Sequence, residues 1–310
     1  MKNKNYTEEY VSINGILQYF LHYPSTQEEV VTMLHGGPGI PNSYTGYYIK
    51  PYWDFCNVVY YDQRGSGKTQ IKNNSKPEDL NWDALIEDLR QTIAYIKKKY
   101  QTNRVILAGH SFGSMLGIQY ILKYPRDVIA YIGYGQVTNA TNQDRNWYKH
   151  LNKTIEKQGR KKDIKKLKTV NCNFPNLSKK EFTEATLVLS RLEQKYGYVN
   201  NDFMTIYRRS PIMTFKDGLL FITGEKLNKK LIEEVSPQYN IEDTISYNIP
   251  IFYILGRHDE WTSSTIAAEY YEKITAPQKG LYWIENAGHM TDTDNPKAFC
   301  IAVKEIISKL

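Results

Sequence analysis

The chain has 310 residues, a length that suits one large core carrying an insertion better than two independent domains. Apolar residues make up 41% of it, enough for such a core. A mean hydropathy of −0.56, with no run near the roughly 18 apolar residues a spanning helix needs, excludes an integral membrane protein. The net charge is +7, and much of the excess lies between His150 and Lys168, where eight Lys or Arg face only Glu156 and Asp163. No aromatic residue interleaves this run to stack bases, so it reads as a solvated helical face rather than a nucleic-acid site.

The N-terminus, MKNKNYTEEY, lacks the apolar centre of a signal peptide, which predicts a cytoplasmic protein. Tyr10–Ile13 and Ile16–His22 flank Asn14-Gly15, a hairpin signal, so the sheet is expected to begin antiparallel. Val30–Leu34, Asn57–Tyr61, Arg104–Ala108 and Val128–Tyr134 follow as continuous apolar runs typical of buried parallel strands. Between them, Trp82–Tyr100 has helical periodicity, with Ala84, Leu85, Leu89, Ile93 and Ile96 on one side. Phe112–Lys123 reads as a helix that stops before Pro125. From about Gln136 to Asn248 the chain is charged, helical in pattern and poor in strand-like runs. Strands then return at Ile251–Leu255 and Gly280–Ile284, with helices at Ser263–Ile274 and Asn295–Ser308. The alternation predicts an α/β fold: a mostly parallel sheet with helices on both faces. Its core spans residues 1–135 and 249–310, and a helical cap spans 136–248. The three cysteines (Cys56, Cys172, Cys300) have no metal-ligand spacing and read as reduced thiols.

Gly109-His110-Ser111-Phe112-Gly113 is a G-x-S-x-G that directly follows an apolar strand and opens a helix. A nucleophilic Ser needs such a place, because a strained turn lifts its oxygen above the sheet edge beside the positive end of a helix. The alternative is an ordinary capping Ser. A Ser hydroxyl needs a base. Of the six histidines, only His289 falls in the loop after the last strand, where the order Ser…Asp…His puts one. Asp259, in Gly256-Arg257-His258-Asp259, ends the preceding strand and is the candidate acid that orients the imidazole. Asp292 and Asp294 compete for that part, but their position after His289 suggests that they cap the last helix. The glycines of His35-Gly36-Gly37-Pro38-Gly39 can turn an amide toward an oxyanion. Gly37 is the expected donor, with the Phe112 amide as the second. Gly65-Ser66-Gly67-Lys68-Thr69 imitates a phosphate-binding loop, but Asp62 stands where that pattern requires a Gly, and Lys72, Asn73, Asn74 and Ser75 make a helix there unexpected.

Taken together, HGGPG at 35–39, DQRGSG at 62–67, GHSFG at 109–113, GRHD at 256–259 and AGH at 287–289 resemble the prolyl aminopeptidase (proline iminopeptidase) group of α/β-hydrolases. The resemblance covers about residues 10–135 and 248–310. It implies an α/β-hydrolase fold, a triad of Ser111, Asp259 and His289, an oxyanion hole from Gly37 and Phe112, and no metal or organic cofactor. Asp62 and Arg64 become supporting residues below the site. It also implies acidic cap residues that bind a substrate's free amino group, for which Glu225 and Glu193 are candidates. Where that group usually carries Gly before the nucleophile and Trp after it, this chain has His110 and Phe112. The expected substrates are small peptides or, alternatively, small esters or amides; a non-catalytic binding protein on the same scaffold is a third reading. Neither nucleic acid nor membrane is an expected partner.

Overall fold

The computed structural model describes residues 5–174, 176–198 and 201–310, the side chains of residues 221–225 excepted. Its centre is an eight-stranded sheet: β1 (Thr7–Ile13), β2 (Ile16–Tyr23), β3 (Val30–Leu34), β4 (Asn57–Tyr61), β5 (Val105–His110), β6 (Val128–Tyr134), β7 (Ile251–Gly256) and β8 (Lys279–Ile284), in the order β1-β2-β4-β3-β5-β6-β7-β8. The β1–β2 and β2–β4 pairs are antiparallel, and every later pair is parallel. This is the mostly parallel α/β sheet expected from the alternation of apolar runs, with the antiparallel start signalled by Asn14-Gly15.

Alternation within the central strands buries both faces. Val105 and Leu107 join one apolar cluster, with Leu85, Leu89, Ile93 and Ile96 of the helix Trp82–Tyr100. Ile106 and Ala108 join the other, with Phe299 and Val303 of the helix Pro296–Ile307. A two-residue repeat placed between two helical layers dictates this division. Asn81 caps the first of these helices by accepting from the Ala84 amide at 2.9 Å. Ala84 is only half-buried, at the margin of the inward face.

The chain departs from the sequence reading after β4. A helix forms at Gly67–Asn73 although its composition is polar. Long-range bonds hold it: Asp62 accepts from the Lys68 amide at 2.7 Å, and the Asn73 side chain bonds both backbone groups of Leu17 at 2.9 Å. The Lys68 ammonium is tied to Asp217 at 3.1 Å. The helix removes one of the two grounds against a phosphate-binding loop; the other, Asp62 in place of the required Gly, stands, and the Lys68 ammonium is committed to Asp217.

Between β6 and β7 the described chain is helical, with α1 (Ala140–Gln158), α2 (Lys161–Leu167), α3 (Lys179–Tyr196), α4 (Phe203–Arg208) and α5 (Phe215–Val235). Helices α1 and α3 share an apolar cluster of their own, which includes Trp147, Leu151, Ile155, Leu189 and Leu192. The basic run lies exposed along the end of α1 and on α2. Among the described residues no helix is long and apolar enough to cross a membrane. The three thiols are unbridged.

Close approach at the centre of the sheet sets the tightest demand. A methyl group on Gly113 would land on the Leu34 carbonyl, and one on Gly109 would lie 2.7 Å from the Gly113 oxygen. Gly113→Ala is therefore expected to cost about 2 kcal/mol or more in urea unfolding. Gly218→Ala in α5, whose added methyl meets nothing nearer than Met213 at 3.8 Å, should stabilise the protein by about 0.5 kcal/mol. Equal effects at the two positions would contradict this account.

Candidate active site

Ser111 sits at the end of β5 with φ 51° and ψ −121°, a conformation that costs a non-glycine residue about 1–3 kcal/mol. Its amide is held by the carbonyls of Tyr134 (3.2 Å) and Gly135 (3.1 Å). It precedes the helix Phe112–Lys123, yet its side chain makes no capping bond. The reading of Ser111 as a plain cap residue thus has no geometric support. Gly135 also lies against His289: a methyl group there would be 3.1 Å from the imidazole Cε1. One residue therefore touches the Ser111 amide and the His289 ring.

His289 and Asp259 meet as the sequence order suggests. The His289 Nδ1–H donates to Asp259 Oδ2 at 3.1 Å. Thr262, three residues on, completes the carboxylate's shell: its amide donates to Oδ1 at 3.0 Å and its hydroxyl to Oδ2 at 2.8 Å. Burial pushes the Asp259 carboxyl up, but the His289 charge and these hydrogen bonds outweigh it and hold Asp259 below 3.8. Burial likewise opposes a charged imidazole. The charge and hydrogen bond of Asp259, helped by Glu193 and Asp294, win and raise His289 above 6.5.

Two further histidines behave differently because no carboxylate meets them. Burial, then the charge of His289, pushes His110 down to about 3. Its neutral ring lies 2.9 Å from the His289 carbonyl through Nε2, which must carry the proton to donate there. Burial pushes His35 down to about 4. His35 Nδ1–H donates to the Gly36 carbonyl at 2.8 Å, and its Nε2 accepts from the Gln63 amide at 3.0 Å. The HGGPG loop is thereby tied to the residues after β4. Gly37 has φ 108°, Gly39 has φ 95° and the Gly37–Pro38 peptide is cis. A methyl group on Gly36 would come within 2.9 Å of the Ser111 Cβ, so this loop rests directly against Ser111. Phe112 opens the helix after Ser111, where amides have no partner within the helix.

Among the described residues, the side-chain hydrogen bonds of Asp62 and Arg64 are with residues other than Ser111, Asp259 and His289. Asp62 is buried, accepts from Ser43 at 2.7 Å, and is pushed up to about 7 by burial. Arg64 forms a two-point bridge to Asp88, both contacts at 2.8 Å. Asp294 accepts from the Gly288 amide at 2.8 Å. The last helix is capped by Asn295, which accepts from the Ala298 amide at 3.3 Å. Asp292 and Asp294 were expected to cap that helix, and Asn295 does so because it stands immediately before Pro296, the first helical residue. Among the described residues no group of His, Cys, Asp and Glu is placed to hold a metal ion.

Glu193 of α3 lines a cavity of about 300 Å³ with His150, Tyr196, Tyr198, His258 and Glu260. His258 and Glu260 flank Asp259, so the cavity abuts the strand end that carries it. One Glu193 oxygen accepts from the Trp147 indole at 2.8 Å. Burial raises the Glu193 carboxyl, and Asp259 and His289 lie within reach of its charge. The Glu225 side chain lies outside the described residues. In the sequence Asp259 also reads as a turn or helix-capping residue before Trp261-Thr262-Ser263, and the Thr262 amide bond fits that turn; sequence reasoning missed the Thr262 hydroxyl on the same carboxylate. It also missed Asp144, a half-buried carboxyl on α1 that has no hydrogen bond or ion pair among the described residues; burial pushes it up to about 7. Asp144 shares the inward face of α1 with Ala140, Trp147 and Leu151.

The comparisons with known proteins agree with this architecture. A family model described as serine aminopeptidase, S33, matches residues 53–296. The probable aminopeptidase YbaC of Bacillus subtilis is 26% identical over 305 residues, covering 94% of this chain and 91% of that protein. A proline iminopeptidase of Saccharolobus solfataricus is 25% identical over 322 residues, covering 99% and 94%. Among solved structures, the proline iminopeptidase-related protein TTHA1809 of Thermus thermophilus superposes with a TM-score of 0.67 at 18% identity, over 98% of both chains. An epoxide hydrolase of Vigna radiata, VrEH1, gives 0.59 at 16%, over 99% of both. These structural likenesses speak for the fold alone.

The raised His289 makes a linkage prediction. A group whose value is raised on folding contributes stability fully below its unfolded value, and loses it as pH rises through the folded one. The unfolding free energy of wild type minus that of His289→Gln should therefore shrink from pH 6 to pH 9. A difference that is flat or grows over that window would contradict the proposed His289–Asp259 coupling.

Proposed function

The chain belongs to the serine aminopeptidase S33 family, and we propose that this serine hydrolase releases the N-terminal residue of small peptides by acyl transfer through Ser111, His289 and Asp259. The observation that carries the reading is the His289–Asp259 contact at 3.1 Å, set beside a strained Ser111 whose hydroxyl makes no cap bond. In the proposed sequence His289 Nε2 takes the Ser111 proton as Oγ attacks the substrate carbonyl. The amides of Gly37 and Phe112 receive the developing oxyanion. The imidazolium, stabilised by Asp259, then protonates the leaving amine, and water activated by His289 releases the acyl group and restores Ser111.

The segment 136–248 is proposed as a cap over this site, one that admits small substrates. Glu193 is the proposed amine anchor, because it lines a cavity beside Asp259. Glu225 is the other cap carboxyl proposed for that part. A second reading, hydrolysis of neutral esters or amides, draws on two observations. Glu193 already accepts from Trp147, and Tyr196 and Tyr198 give the cavity aromatic walls suited to an uncharged acyl group. Aminoacyl anilides assayed beside aryl esters separate the two readings: the first requires cleavage of the anilides, and cleavage of esters alone favours the second.

Two outcomes are expected of the purified protein. Ser111→Ala should abolish turnover with the melting temperature kept, and full activity in that variant would overturn the assignment. The acid limb of kcat/KM should lie above pH 6.5, since His289 must be neutral to act and its value is raised. An acid limb well below that value would show that another base operates.

A further inference from the structure

An aromatic column runs through His289. The His110 ring is 4.8 Å from it. The Trp261 indole is 4.9 Å away at 30°. Trp147 stacks on Trp261 at 5.0 Å and 14°. The column ends at Glu193, whose carboxylate accepts the Trp147 N–H at 2.8 Å. Trp147 is 1% exposed, whereas Trp261 is half-buried. Trp261 also sits in a segment that is held on both sides. On one side Gln143 of α1 donates to the Thr262 backbone carbonyl at 2.7 Å; on the other Asn146 donates to the Glu260 side-chain carboxylate at 3.1 Å, so only the first of these contacts is to the backbone itself.

We propose that Trp261 is a positioning residue for the catalytic base: held by the Trp147–Glu193 pair of the helical segment, its indole face fixes the His289 imidazole and stabilises its protonated form. The proposal rests on the hydrolase reading above. An indole is the best aromatic partner for a cation within about 6 Å of its centre, and a tilted aromatic pair at this separation is attractive even when uncharged. Both properties suit a base that must hold one orientation and carry a charge in the transition state. The Asp259 and Thr262 oxygens that meet Nδ1, at 3.1 and 3.2 Å, hold one edge of the imidazole, and the His110 ring lies against it at 4.8 Å; Trp261 adds an indole wall. The titratable groups that act on His289 by charge include Asp259 from the loop after β7, Glu193 from α3, and Asp292 and Asp294 from the turn after β8; His110 from β5 stays neutral. The column also joins the cavity to the base, since Glu193 belongs to both.

The test follows the His289 ring by NMR titration in a Ser111→Ala background, where no turnover is needed, and compares Trp261→Leu with Trp261→Phe. The expected result is a His289 midpoint about half a pH unit lower in Trp261→Leu and largely restored in Trp261→Phe. With Ser111 intact, the plateau kcat of Trp261→Leu should fall about threefold, the equivalent of that shift, with KM changed less than twofold. An unmoved midpoint in a natively folded Trp261→Leu would overturn the proposal. Should that variant not fold, Trp261→Met repeats the comparison with a longer unbranched chain. If the midpoint moves but wild type hydrolyses neither anilide nor ester, the coupling stands and the hydrolase reading falls. If wild type is active and the midpoint stays put, the coupling alone falls.

Discussion

The organisation of this protein depends on how closely three backbones pass one another at the centre of its sheet. Gly109 lies next to the end of β5 and Gly113 in the first turn of the following helix; Leu34 and His35 of the neighbouring chain segment fill the space a side chain on Gly113 would need, and Gly113, Ser114 and Tyr131 fill that of Gly109. The turn between them has nowhere to go but up. Ser111 is pushed to a positive φ and pinned there by two carbonyls from the end of β6. The strain is affordable only because both flanking elements are buried in a continuous core. The same crowding presses the HGGPG loop against Ser111 and brings Gly135 between Ser111 and His289.

Electrostatics then separates three histidines that share a buried setting. Burial drives His35 toward the neutral form, and burial with the charge of His289 does the same to His110; each serves as a fixed hydrogen-bonding strut for a neighbouring backbone. His289 experiences the same penalty, yet its value moves up, because Asp259 lies in direct contact and Thr262 keeps that carboxylate ionised and oriented. The histidine proposed as the proton-transfer group thus differs from the other two by its contact with a carboxylate. The aromatic column extends the arrangement outward, from His289 through two indoles to Glu193, which also lines the adjoining cavity.

Much of this is legible in the sequence, for physical reasons. The buried strands are continuous apolar runs, and the chemically committed residues stand just beyond strand ends, where an open parallel sheet builds its sites. What escapes a linear reading is held together by contacts between distant segments. The helix Gly67–Asn73 has a polar composition and is stabilised by Asp62 and the backbone of Leu17 rather than by its own apolar face. The cap at the last helix falls to Asn295 because Pro296 sets the helix start, a local rule that the neighbouring acids obscured. The stacking of Trp147 on Trp261 and the bond from Trp147 to Glu193 have no sequence signature, since three separate elements must first be packed.

The central claim is that Ser111 is an activated nucleophile. The most direct measurement is labelling of the folded protein with a fluorophosphonate, followed by mass mapping of the adduct. The account predicts one adduct per chain, located on Ser111 rather than on nearby Ser114, and forming faster as pH rises through the His289 titration. A folded, unlabelled protein, or an adduct at another residue, would contradict it.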